Sequence, residues 1–205
     1  MVGVFSTKFH DQDLLCVVFD PEAVPTSTKQ VGNAIALYQG DKLIGVNVFG
    51  IVEKFYTGLN PLPSEDQLSI LNEAMAALGL PALNVSDSGF HVATVVNKEE
   101  HPLDERKHIL TVKEGEKTFT TTTRYANIEI GSKIVVLHDS FFRHDGTAFH
   151  ASVIRNIPQD VEVCSYADLH LEKLNRSHAT LVSSEELGRT AYLANGLEEG
   201  VDFYR

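Results

Sequence analysis

The chain has 205 residues, with 17 Lys and Arg against 28 Asp and Glu and a formal charge of −11. That length allows one large or two small domains with a sufficient core, and no apolar run approaches the roughly 18 residues of a membrane span. Residues 1–89 hold 4 Lys and Arg against 10 Asp and Glu, residues 90–175 hold 10 against 13, and residues 176–205 hold 3 against 5; even the cation-rich middle falls short of the basic footprint of a strong phosphate binder.

The first stretch, with Lys8 inside a mixed sequence, lacks the apolar core of a secretory leader, so a cytoplasmic protein is expected. Residues 14–19 form a continuous apolar run before Asp20-Pro21 and read as a buried strand. Residues 33–38 and 42–49 are two more strands, and the Gly40-Asp41 turn between them makes a hairpin. A helix starts near Ser64, because Ser64 and Gln67 have capping-box spacing after Pro63. Leu68, Leu71, Met75 and Leu78 give it one apolar face, and Gly79 followed by Pro81 stops it. Residues 1–85 are therefore expected to form a small α+β domain.

The polar, Gly-ended stretch 82–89 is the linker candidate. Beyond it, strands are expected at 90–96, 109–112, 119–124, 133–137 and 148–153, with turns at Glu114-Gly115-Glu116 and Asp145-Gly146. Residues 183–186 read as a short helix or capped turn, 192–194 as a strand, and 200–204 as a segment that packs back on the protein. Cys16 and Cys164 are too far apart in sequence for a redox or metal pair and read as buried thiols.

Within the second half, the charged loop Glu99-Glu100-His101-Pro102-Leu103-Asp104-Glu105-Arg106-Lys107 sits between two apolar strands. After it come Thr111-Val112-Lys113-Glu114-Gly115-Glu116, then Ala126-Asn127-Ile128-x-x-Gly131-x-Lys133-Ile134-Val135-Val136, and finally Val163-Cys164-Ser165-Tyr166-Ala167-Asp168-Leu169. That ordered set resembles the tRNA-binding OB-fold domain of the endothelial monocyte-activating polypeptide II type. The whole chain is similar to the bacterial YtpR family, in which such a domain follows an N-terminal domain. The resemblance implies an all-β OB fold, a five-stranded Greek-key barrel, over residues 90–175, with residues 176–205 as a C-terminal segment packed on the protein.

It also implies non-catalytic binding of tRNA or another structured RNA, with no DNA and no membrane partner. OB barrels track a backbone with cations and stack bases on aromatic planes. The matching candidates are Arg106, Lys107, Arg124, Lys133, Arg143 beside Phe141 and Phe142, and Arg155. Asn127 and Ser165 match positions that the family keeps. Asn127 could equally hold a left-handed turn, and Ser165 could cap a short helix over 166–169. The alternative for the whole domain is a protein-interaction or self-association module with a degenerate RNA face, the partner being another protein or a second copy. Seven of nine histidines fall between His91 and His170, yet no metal-ligand spacing, phosphate loop or nucleophile motif is present. No catalytic residue, metal or cofactor is expected.

Overall fold

The computed structural model describes residues 1–51, 58–169 and 197–205. The expected elements at 183–186 and 192–194 lie outside them. The chain divides into two compact units, residues 1–87 with 145–148, and residues 88–144 with 149–205.

The first unit contains β1 (Gly3–Phe9), β2 (Gln12–Val18), β3 (Ser27–Val31), β4 (Ala34–Gln39), β5 (Lys42–Phe49), β6 (Gly58–Leu59) and α1 (Glu65–Leu78). The strands pair antiparallel in the order β3-β4-β5-β2-β1-β6. Alternation along β2, β4 and β5 sends Leu15, Val17, Ala34, Ala36, Val46 and Val48 to one face, where they meet Leu71, Ala74, Met75 and Leu78 of the helix. The helix begins and ends as its sequence requires. Ser64 and Gln67 make the reciprocal capping box, and Gly79 closes the last turn in left-handed geometry at φ +78°. Three strands of this unit had no signal in the sequence. One is β3, which is exposed along its whole length and is held by its ladder to β4 and by Lys29 donating to the Leu78 carbonyl at 2.7 Å. The others are β1 and β6.

The second unit contains β7 (Phe90–Glu100), β8 (His108–Glu114), β9 (Lys117–Thr123), β10 (Lys133–His138), β11 (Ser152–Ile154), β12 (Ile157–Gln159) and β13 (Val161–Val163). Five of these strands form one antiparallel sheet in the order β13-β10-β7-β8-β9. The sheet curls until its edges meet. The Asp160 amide donates to the Thr120 carbonyl at 2.8 Å, and the Thr120 amide returns a bond to the Asp160 carboxylate at 2.8 Å. The nearly closed, five-stranded barrel is compatible with an OB-like fold. Its fifth strand is 161–163, not the expected 148–153. Within that earlier stretch, the Phe149 amide and carbonyl bond back to Phe141 and Ser140, while residues 152–154 pair only with β12.

Inside the barrel sit Ala93 and Val95 of β7, Leu110 and Val112 of β8, Ile134 and Val136 of β10, Val161 and Val163 of β13, and Ile128. A register shift between Val95 and Asn97 marks a bulge that redirects the second half of β7 toward the 101–107 loop. The first half of β7 gains a further neighbour from the C-terminal segment. Gly200 donates to the Val92 carbonyl, Val92 to that of Val201, and Phe203 to that of Phe90. Asp202 anchors this pairing, being buried with one carboxylate oxygen accepting from the Ser88 amide at 2.8 Å and the other from the Ser88 hydroxyl at 2.6 Å.

Next to Ser88, Gly89 adopts φ +78°, and a Cβ built there would lie 2.1 Å from the Phe141 ring. Gly89→Ala combines a left-handed penalty with overpacking, so it should destabilise the protein by on the order of 2–4 kcal/mol. Urea denaturation followed by far-UV circular dichroism measures it; a change under about 0.5 kcal/mol, the range of ordinary surface substitutions, would contradict this packing.

Candidate functional site

The eight residues singled out in the sequence fall into separate environments. The 101–107 loop folds on its own backbone, with His101 donating to the Lys107 carbonyl at 3.1 Å and Lys107 to that of Asp104 at 2.9 Å. Asp104 is its centre. The Asp104 carboxylate accepts from the Arg106 amide at 3.2 Å and the Arg106 Nε at 3.3 Å, and from the Arg124 guanidinium, which reaches it from just beyond β9, at 3.4 Å. Arg106 and Arg124 thus converge on one carboxylate, and both remain well exposed. Desolvation pulls the Asp104 carboxyl upward, but the bonds from Arg106 and the nearby charges of Arg106 and Arg124 outweigh it and hold the group below its usual range. Lys107, half-buried, makes no ion pair among the described residues.

The other candidates are scattered around the barrel. Lys133 opens β10 and donates to the Leu197 carbonyl. Arg143 is clamped by Glu162, Nε to Oε2 at 2.6 Å and the second nitrogen to Oε1 at 3.2 Å, and lies over the Phe149 ring. Arg155 is exposed at the tip of the β11–β12 hairpin, where it and Asn156 both take positive φ, +52° and +64°. Asn127 is half-buried in the loop before β10, and its φ is not positive, so it does not hold a left-handed turn. Ser165 is buried. Its hydroxyl donates to Asp168 Oδ2 at 2.6 Å and accepts from the Asp168 amide at 3.2 Å, a reciprocal cap on the turn over 165–169. The structure therefore brings Arg106 and Arg124 together on Asp104, keeps Lys107 in the same loop as Arg106, and leaves the other five apart from that pair.

Both thiols are poor nucleophiles. Burial pushes Cys16 up to about 11, and burial, reinforced by the charges of Asp168 and Glu162, pushes Cys164 well up.

One constellation escaped the sequence reading. His91 on β7, Glu114 at the end of β8 and His138 at the end of β10 meet at one mouth of the barrel. His91 Nδ1 lies 3.3 Å from Glu114 Oε2, His138 Nε2 lies 2.9 Å from Glu114 Oε1, and the two imidazole centroids are 4.7 Å apart. The Phe119 ring packs edge-on against His138 at 5.1 Å. Burial works against the charged form of Glu114, yet the bonds from the two imidazoles and their charges overcome it and bring the carboxyl down to about 2. No short spacing announces this group, because its members come from three strands. The signal that finds it is parity, since 91, 93 and 95, then 110, 112 and 114, then 134, 136 and 138 are inward-facing rows, and each row ends in one member of the group.

Neither a family model nor a curated protein sequence matches the chain. Among solved structures it is similar to a MetRS related protein from Pyrococcus horikoshii, at 13% identity over 55% of this chain and 85% of that one, with a TM-score of 0.35. A likeness at that level bears on neither fold nor ligand.

The depressed Asp104 carboxyl gives a pH prediction. Its folded value lies below the unfolded value of about 3.9, so the stabilisation it supplies is present above that value and is lost as pH falls through the folded one. The thermal midpoints of the parent and of Asp104→Asn should differ at pH 7 and converge as the pH is lowered below about 4. A gap that stays constant down to pH 2.5 would show that the arginines do not hold this carboxylate.

Proposed function

We propose that the second unit binds RNA, tRNA or another structured RNA, without chemistry of its own. The observation that carries this reading is the convergence of Arg106 and Arg124, two well-exposed guanidiniums held side by side by Asp104 at the end of an OB-like barrel. A planar guanidinium can grip a phosphate through two nitrogens or stack on a splayed base, and here two of them are presented on short, internally bonded connections. Lys107 stands beside them in the same loop. Glu99, Glu100 and Glu105 are close to Arg106 in the sequence, so the expected affinity is modest and strongly dependent on salt. The family resemblance, with its OB fold and its cytoplasmic, bacterial setting, belongs to this reading.

A second reading is favoured by the β11–β12 hairpin, where Val153 and Ile154 are 68% and 57% exposed beside Arg155. Adjacent exposed β-branched side chains on a two-stranded hairpin suit a protein partner or a second copy of the chain.

Titration of the protein with bulk tRNA at several salt concentrations separates the two. Phosphate contact predicts a log-log slope of about −0.7 for each phosphate neutralised, and Arg106→Ala should flatten it by about one such step. Asp104→Asn releases both guanidiniums and should tighten binding. Binding that ignores salt, Arg106→Ala and Asp104→Asn alike would transfer the function to the hairpin, and Val153→Asp with Ile154→Asp would then abolish the association.

A further inference from the structure

We propose that His91, Glu114 and His138 form a binding site for one divalent transition-metal ion, Zn²⁺ foremost, at the mouth of the barrel. The site is independent of what the loop arginines bind. Its three donors, one carboxylate oxygen and one nitrogen from each imidazole, lie within 4.8 Å of one another. A tetrahedral Zn²⁺ with bonds of about 2.0–2.1 Å needs donors about 3.3 Å apart. His91 Nδ1 lies 3.3 Å from one Glu114 oxygen and His138 Nε2 lies 2.9 Å from the other, both near that separation, so a rotation of the carboxylate that turns one oxygen toward both nitrogens brings the set onto one ion.

Placement is the second support. Each donor stands next to the inward-facing apolar row of its own strand, and each backbone is held in a ladder, His91 opposite Val136, Glu114 opposite Lys117 and His138 opposite Val161. Ladder geometry of this kind holds ligands more rigidly than a loop does. The side chains are 20% exposed for His91, 19% for His138 and 9% for Glu114, so the group is partly open to solvent, from which an ion can enter.

Donor chemistry selects the metal. Two imidazoles and one carboxylate suit Zn²⁺ and its first-row neighbours; Mg²⁺ and Ca²⁺ want oxygen only. Without a metal, one carboxylate bridges two imidazoles through N–H donors. The incoming ion takes the nitrogen lone pairs instead, and each imidazole that carried its proton on the facing nitrogen shifts to its other tautomer or releases that proton to solvent. The rival reading is a hydrogen-bonded plug that seals the barrel and binds nothing.

Full-length protein stripped with chelator and dialysed should bind one equivalent of Zn²⁺ at pH 7.5 and show a raised unfolding midpoint, while Mg²⁺ and Ca²⁺ have no effect. Co²⁺ should give visible absorption of a low-coordinate nitrogen and oxygen site, and X-ray absorption on the Zn²⁺ form should count two imidazoles. His138→Ala and Glu114→Gln should weaken Zn²⁺ by at least about 10–100-fold, the loss that even outer-shell changes bring. His10→Asn, on the other unit, should leave it unchanged. Failure of the parent to bind Zn²⁺ or Co²⁺ at micromolar concentrations would overturn the site, as would equal binding by the two triad variants or a spectrum without imidazole. If the variants do not fold, the stoichiometry and ligand count of the parent decide alone.

Discussion

In an antiparallel barrel every second side chain points inward, and the second unit is built on three such rows, at 93 and 95, at 110 and 112, and at 134 and 136. All six of these side chains are fully buried and apolar. On β8 a slip of one residue would turn Leu110 and Val112 outward and bring Thr111 and Lys113 inside, so burial itself fixes the register of that strand. The same parity dictates what happens at the mouth. The next inward position on each strand carries a histidine, a glutamate or a histidine, and the three have no choice but to meet. Because the barrel narrows their options so far, a hydrogen-bonded cluster or a metal centre can arise there without any motif visible along the chain.

Charge is distributed in a different way. Three of the cations on the second unit are engaged by groups of their own unit: Arg143 by Glu162, Lys133 by the Leu197 carbonyl, and Lys98 by the Ile128 carbonyl at 2.6 Å and the Glu129 carboxylate at 3.3 Å. Such pairs add little to stability where they are exposed, but they lower the field available to a polyanion. Arg106 and Arg124 differ because one carboxylate serves two guanidiniums, so Asp104 offsets only part of their charge. A single aspartate therefore organises the pair and moderates it at once.

Sequence patterns revealed the elements that have an apolar face and missed those that lack one. The helix from Ser64 to Gly79 was readable to the residue, since its capping box, apolar stripe and terminal glycine all point to the same boundaries. Strand β3 was not, because an all-exposed edge strand takes its order from a neighbour's backbone and leaves no alternation to read. The fifth barrel strand was displaced in the reading for a related reason. Residues 148–153 include apolar side chains, but a three-residue strand at 161–163 completes the barrel, and so short a run carries almost no pattern. Site residues were harder still. Arg106 was picked out by its loop, whereas its meeting with Arg124 depends on how β9 returns beside β8. Capping by Ser165 was one of two roles its place before 166–169 allowed; the convergence of His91, Glu114 and His138 was not legible, since it requires the strand order to be known.

The anchoring of Asp202 on Ser88 spans 114 residues of sequence. Closing so long a loop carries a large entropic cost, and contacts at such separation form late. During synthesis, β7 emerges with part of one edge open, its amide and carbonyl at Val92 waiting for Gly200 and Val201. Until those residues leave the ribosome the nascent barrel presents an unpaired strand, which is the kind of surface on which chains aggregate and chaperones act.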